Sequence, residues 1–447
     1  MCENKQRVKK VLVITYYWPP SGGGGVQRWL KFVKYLPEFG WEPTIFTPEN
    51  PDFSLQDESL MKDIDPNLEV IRFPIWEPFG IYKKLFKSSS KTVKQGIVIE
   101  KSKLSLTDKL SIWVRANLFI PDPRCFWVKP SAKFLESIII DNKIDVVITT
   151  GPPHSMHLIG QRLKKSTGVN WIADFRDPWS DWDVLQKLNI SKVAHAIHRR
   201  MEKRVMQNSD VLLTVSNRLA LSLQEKKFAK DVRVVNNGVD EDDFEVAKVT
   251  QKPKKFSIVH TGLLNEIRNP IHLWEALQEL CTEEDGFKDQ LELVLAGMVS
   301  GSILDFLKND EQLKESLVYL DYIPHQQVFD YYESSSVLLL LLNQSENSKW
   351  ILPGKMYEYM FSGKPILTLG EPESDVRDVL LECNAGEVFS FDDKEKIKSF
   401  LKLAFVNYKN GASPSKSDQV NNYTRRNLTK KLAGILDVLI PKKTVEN

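Results

Sequence analysis

The chain has 447 residues, 42% of them hydrophobic, enough for two or three domains with complete cores. Its 61 Lys and Arg nearly balance 59 Asp and Glu, so global charge gives no case for nucleic-acid binding. Cys2, Cys125, Cys281 and Cys383 lack paired spacing, which argues against a disulfide framework or zinc site and for a reducing cytoplasm.

The first apolar run, Val11 to Tyr16, is stopped by Pro19-Pro20 and is too short for a signal peptide or a membrane span. It reads as a strand. Four glycines, Gly22 to Gly25, follow, and then Val26, Trp29, Leu30, Val33 and Leu36 fall at helical spacing. A strand-to-helix turn without side chains lets backbone N–H groups close on a phosphate, where the helix N-terminus adds favourable partial charge. A flexible turn is the plainer alternative. A dinucleotide fingerprint is incomplete, because Gln27 takes the third glycine position and Thr47, not an acid, ends the second strand.

Further strands are predicted at Thr44–Thr47, Val70–Phe73, Val146–Thr149, Trp171–Ala173, Val211–Val215 and Val232–Val235. Between the third and fourth lies a basic stretch with Lys83, Lys84, Lys87, Lys91, Lys94, Lys101 and Lys103 against Glu100 alone. It is either a solvated loop or a contact for anionic lipid. Thr149-Thr150-Gly151-Pro152-Pro153-His154 ends one strand and Asp174-Phe175-Arg176-Asp177-Pro178-Trp179 the next, on the same side as the glycines. His154 reads as functional rather than buried. Asp174, Arg176 and Asp177 either face the same cleft as the glycines or serve as core or capping residues, Arg176 pairing with a neighbouring carboxylate. His154-x-x-His157 and Asp181-x-Asp183 have metal-like spacings but no third ligand cluster, so no metal is expected.

Asp240–Pro253, polar and acidic, is the best linker. A second series of strands follows at Phe256–His260, Leu291–Leu295, Val318–Leu320, Val337–Leu342, Ile366–Thr368 and Glu387–Phe389. Thirteen strands exceed one ordinary sheet. Continuous apolar strands alternating with helices predict parallel sheets covered on both faces. Pro353 suits a first helical turn and Ser362-Gly363 a helix stop. Lys355 and Glu358, three apart, share a face. They form an exposed ion pair, or the carboxylate holds two vicinal hydroxyls while the ammonium faces phosphate. Gly411–Ser417 is a second connection before a terminal helix.

The glycine loop, Asn236-Asn237-Gly238-Val239-Asp240 and the stretch Pro353 to Pro365 together resemble glycosyltransferase family 4 over nearly the whole chain. These are retaining GT-B enzymes with nucleotide-sugar donors. The resemblance implies an α/β fold of two Rossmann-like domains whose parallel sheets face a central cleft. The expected division is an acceptor-side domain over 1–245, a nucleotide-sugar domain over 246–415, and a terminal helix in 416–447 packing back on the first. Glu358 matches the family's ribose-binding glutamate, Lys355 lies near diphosphate or sugar, and Gly23, Gly24, Gly25 and Gly262 bind the donor. His154, Asp177 and Arg268 are the catalytic candidates, with Asp174 and Arg176 on the acceptor side.

Two positions depart from the family. Trp350 stands where a second glutamate is common, and Leu263 replaces the usual arginine after Gly262, leaving Arg268 as the local cation. The implied activity is transfer, with retention and without metal or other cofactor, to a sugar or lipid-linked hydroxyl acceptor in cell-surface polysaccharide or glycolipid synthesis. The implied place is the cytoplasm, with peripheral contact to the inner face of an anionic membrane through residues 83–103. No nucleic acid is implied. A nucleotide-sugar epimerase and a non-catalytic sugar-nucleotide-binding protein stay open as rivals.

Overall fold

The computed structural model describes residues 7–77 (except 52 and 54), 106–245 (except 183, 184, 186 and 187), 253–412 (except 322 and 324) and 416–440. The basic stretch 83–103 lies outside the described residues, as does Asp183. The chain divides into two compact units, residues 1–236 with 428–447, and residues 237–427.

Unit 1 carries a seven-stranded, all-parallel sheet in the order β3-β2-β1-β4-β5-β6-β7. Its strands are β1 (Lys9–Ile14), β2 (Trp41–Pro48), β3 (Glu69–Phe73), β4 (Val146–Gly151), β5 (Asn170–Phe175), β6 (Val211–Thr214) and β7 (Val232–Val234). Its principal helices are α1 (Gly24–Tyr35), α2 (Leu106–Leu118), α3 (Val128–Asp141), α4 (Ser155–Thr167), α5 (Lys192–Asn208) and α6 (Asn217–Glu225). The central strands are buried on both faces, as continuous apolar runs require. Helix α1 buries Val26, Trp29, Leu30 and Val33, the stripe read from its spacing.

Unit 2 repeats the plan with six parallel strands in the order β10-β9-β8-β11-β12-β13. They are β8 (Phe256–Thr261), β9 (Leu291–Ala296), β10 (Leu317–Leu320), β11 (Val337–Leu341), β12 (Ile366–Leu369) and β13 (Gly386–Phe389). Helices α7 (Ile271–Glu283), α8 (Gly301–Asn309), α9 (His325–Glu333), α10 (Gly354–Ser362), α11 (Asp375–Glu382) and α12 (Lys394–Lys409) accompany them. Helix α10 ends where Ser362-Gly363 predicts, with Gly363 left-handed at φ 72°.

The last helix, α13 (Arg425–Leu439), belongs to unit 1 from Leu428 onward. Leu428, Leu432, Ala433 and Leu436 join the core of Val11, Val13 and Trp41. Asp437 fixes the same helix to β1 and β2, accepting from Trp41 Nε1 at 3.0 Å and pairing with Lys9 at 2.5 Å.

Both sheets reverse their strand order once, between β1 and β4 in unit 1 and between β8 and β11 in unit 2. Ligands of open α/β sheets bind outside the carboxyl ends of strands at such switch points. The loops after β1, β4, β5 and β8 and the helix α10 hold most of the candidate residues.

Candidate active site

In unit 1 the loop after β1 leads into α1 through Gly23, whose φ of 89° favours glycine. Gly23 and Gly24 are exposed, and a side chain on Gly24 would meet nothing within 4 Å. The start of α1 is thus an open helix N-terminus, suited to an anion.

Arg176 holds this loop in place. Its guanidinium donates to Gly25 O at 2.7 Å, Pro152 O at 2.5 Å and Gly151 O at 3.3 Å. It therefore ties the loop after β1 to the loop after β4. Burial pulls its pKa down, although Asp177 and Asp174 act in the opposite sense. Asp177 follows on the same loop, half-buried.

Asp174 is placed differently from its expected acceptor-side role. It is the penultimate residue of β5 and fully buried. Its carboxylate accepts from Arg28 Nε and Nη2 at 3.1 and 2.9 Å, Trp29 Nε1 at 2.8 Å and Thr150 Oγ1 at 2.9 Å. Arg28 also donates to Val235 O and Asn236 O. Burial alone would raise the pKa of Asp174, but Arg28 outweighs it and the net shift is downward. The core alternative wins at this residue: Asp174 joins α1, β4 and β5 and is not offered to an acceptor.

His154 immediately precedes α4. It is only 6% exposed, so the expectation that it would not be buried fails. Its ring lies flat on Trp179, with centroids 4.5 Å apart and planes 2° from parallel, and Trp179 Nε1 donates to His198 Nδ1 at 3.0 Å. Both ring nitrogens of His154 are buried without a hydrogen-bond partner among the described residues. Burial, then His157, His198 and Arg176, drives its pKa well below 6.5, so the ring is neutral at pH 7. Thr149 Oγ1 accepts from Trp171 Nε1 at 2.9 Å and lies 2.9 Å from His157 Nδ1.

In unit 2 the loop after β8 turns at Gly262, with φ 114°, and meets the loop after β9 at Gly297, with φ 117°. A Cβ on Gly297 would lie 2.6 Å from Gly262 O, so the two loops close only around a glycine. Lys355, in the first turn of α10, donates to Thr261 O beside Gly262. Burial lowers its pKa to about 8, against the opposing charge of Glu358 and with help from Arg268.

Glu358 is half-buried rather than part of an exposed ion pair, and its Oε2 accepts from Tyr332 OH at 3.2 Å. Thr261 Oγ1 lies 3.1 Å from Tyr332 OH and 3.2 Å from Tyr359 OH. Burial, then Glu358, raises the Tyr332 pKa well above 10, so this phenol stays a donor. Arg268 spans the switch point: Nε donates to Asn343 Oδ1 at 2.7 Å, beyond β11, and Nη1 to Leu263 O at 3.1 Å. Leu263, where the arginine of the family pattern is missing, thus anchors the substitute cation through its carbonyl. Trp350 ends a 3₁₀ turn, Glu346–Trp350, ahead of α10.

Lys355, Glu358, Gly262 and Arg268 therefore surround one sheet end in unit 2. Gly23 to Gly25, Arg176, Asp177 and His154 surround one in unit 1. Thr261, Tyr332 and Tyr359 were missed by sequence reasoning, since tyrosines at helical spacing look like core. Among the described residues no group of three or more His, Cys, Asp or Glu could hold a metal ion, and no helix is long and apolar enough to cross a membrane.

Two parallel α/β units, each with its candidate residues at the switch point of its own sheet, define the GT-B fold. Residues 100–243 match the model of Glycosyltransferase Family 4, a segment that includes 236–240 but neither the glycine loop nor 353–365. A glycosyltransferase from Rickettsia africae is similar to the chain at TM-score 0.62 and 14% identity, covering 98% of this chain and 100% of that one. Sucrose-phosphate synthase from Thermosynechococcus elongatus is similar at TM-score 0.57 and 12% identity, covering 96% and 99%. An Anabaena protein in complex with UDP-glucose is similar at TM-score 0.54 and 11% identity, covering 96% and 99%. Comparison with curated proteins gives no match.

Proposed function

We propose that the chain transfers a sugar from a nucleotide-diphosphate-sugar donor to a hydroxyl acceptor, with retention and without a metal, in cell-surface polysaccharide or glycolipid synthesis. The observation that carries the reading is Glu358 steadied by Tyr332, one turn after Lys355, whose half-buried side chain lies against Gly262. A carboxylate can accept from both hydroxyls of a ribose, and an ammonium against glycine backbone suits a phosphate. The Anabaena neighbour, in complex with UDP-glucose, has the same fold.

In this reading unit 2 holds the nucleotide and unit 1 the acceptor. Retention follows when the acceptor hydroxyl approaches on the face from which the diphosphate departs. The departing phosphate oxygen then takes the hydroxyl proton. As the sugar–oxygen bond breaks, charge grows on the diphosphate, where Arg268 acts. Removing one such preorganised donor typically costs ~3 kcal/mol of barrier. Asp177 lies on the loop Arg176 fixes, whereas His154 keeps both ring nitrogens buried beneath the surface of that side.

Calorimetric titration of uridine, guanosine and adenosine diphosphates and their sugars into wild type and Glu358→Gln tests the site. A hydrogen bond to a charged group is worth about 1.5–3 kcal/mol, so the variant should bind at least about ten-fold more weakly. Equal affinities would move the donor site elsewhere. Sugar epimers formed from donor alone would point to an epimerase, and binding without turnover on any acceptor to a non-catalytic protein.

A further inference from the structure

Unit 2 has a pocket of about 230 Å³ whose lining includes none of the candidate residues. It lies at the amino ends of β12 and β13, where Pro365 and Ala385 lead into those strands. The candidates Gly262, Arg268, Lys355 and Glu358 gather at the other, carboxyl end of the same sheet. Helix α10 runs between the two ends, starting at Lys355 and finishing with Met360 and Gly363 against the pocket.

The floor is apolar. Met360, Cys383 and Val420 are each 1% exposed, and burial pushes the Cys383 thiol up to about 12, so it stays neutral. The walls are polar. Lys364, half-buried in the turn after α10, makes no side-chain hydrogen bond or ion pair among the described residues. Burial pulls its pKa down, with Glu333 at the end of α9 acting in the opposite sense. Lys416 enters from the chain after α12, its ammonium over the Phe361 ring. Burial lowers its pKa too, against Glu241 and Glu333. A Cβ on Gly363 would lie 3.3 Å from Lys416 Cβ, so the glycine lets this lysine close in. Asn384 and Glu387 are exposed at the edge.

A partly desolvated ammonium without a counter-ion lacks what an anion supplies. Two such lysines match the charge of about −1.5 to −2 on a phosphate monoester at pH 7. Glu387 and Asn384 can then accept from hydroxyls. The volume is below the roughly 300–1,000 Å³ of sites for drug-sized ligands, which suits one sugar ring better than a nucleotide sugar. We propose that this pocket is an effector site for a small sugar phosphate. The phosphate meets Lys364 and Lys416, the hydroxyls meet Asn384 and Glu387, and the ring covers Met360. The inference stands independently of the sugar-transfer reading.

Thermal-shift titration and amide hydrogen exchange of the full chain with glucose 1-phosphate, glucose 6-phosphate, inorganic phosphate and glucose test it. At least one sugar phosphate should raise the thermal transition and slow exchange at 383–387 and 417–420. Inorganic phosphate should bind at least about ten-fold more weakly, and glucose not at all. Lys364→Met should weaken sugar-phosphate binding by about ten-fold or more. Its transition without ligand should be no lower than wild type, because burial disfavours the ammonium. Glu387→Gln should weaken binding of the sugar phosphate and leave that of inorganic phosphate unchanged. Absence of binding by both sugar phosphates, or equal affinity in Lys364→Met, would overturn the proposal. So would inorganic phosphate binding as tightly as the sugar phosphates, or protection confined to 262–268 and 354–358, which would put the ligand at the opposite sheet end.

Discussion

Replacing Asp174 by asparagine keeps the shape of the side chain and removes the charge that Arg28 is buried against. The carboxylate receives four hydrogen bonds, two of them from Arg28. The amide nitrogen of asparagine would turn a donor toward one of those donors and leave the guanidinium uncompensated. Breaking a buried pair by removing one partner costs about 3–5 kcal/mol, and the crowded donors place this case in that range. For a unit of this size that corresponds to a fall in Tm of roughly 6–20 °C. Urea unfolding followed by tryptophan fluorescence is the assay, because nine of the eleven tryptophans lie in unit 1. The pH profile gives a second readout. Asp174 has a pKa lowered below 3.8 in the fold, so its contribution is present above about pH 4 and lost as pH falls through the lowered value. The asparagine variant should lack that part of the acid slope. A loss under about 1 kcal/mol with an unchanged acid slope would refute the buried-pair reasoning.

Lys355 gives the opposite sign, since its pKa falls to about 8 in the fold and the unfolded chain binds more protons above that value. Unit 2 should therefore gain stability from about pH 8 to the ordinary lysine range near 10.4, and Lys355→Met should flatten that rise in the thermal transition. Arg176→Met removes three donors to carbonyls of two loops and should speed amide hydrogen exchange at Gly25 and the residues after Pro153 by about ten-fold or more. Unchanged exchange would show that the loops hold without it.

The strands inside the two sheets were legible because they are covered on both faces, where an apolar run has no other place to go, whereas the edge strands β3, β7, β10 and β13 are part-exposed. Their ends were less so. Lys9 and Lys10 open β1, paired with Trp41 and Glu42, since a strand end can carry lysine stems while the charge stays outside. Asp174-Phe175-Arg176-Asp177 reads as a polar loop, yet Asp174 is still in the ladder, opposite Thr150 and Leu213. Its partner Arg28 is 146 residues away, a distance that no local pattern encodes. Lys355 and Glu358 were visible through their spacing. Tyr332 was not, because it reaches the carboxylate from a different helix.

The return of α13 to unit 1 shapes how the molecule can be made. Residues 237–427 form one uninterrupted compact unit and can close as soon as they are synthesised. Unit 1, although its sheet is complete by Val234, lacks Leu428, Leu432 and Leu436 until residues after 427 emerge. Until then Val11, Val13 and Trp41 share a core with an unfilled side. The order of assembly thus runs against the order of the chain: the later-encoded body finishes first, and the earlier one waits for a helix encoded after it.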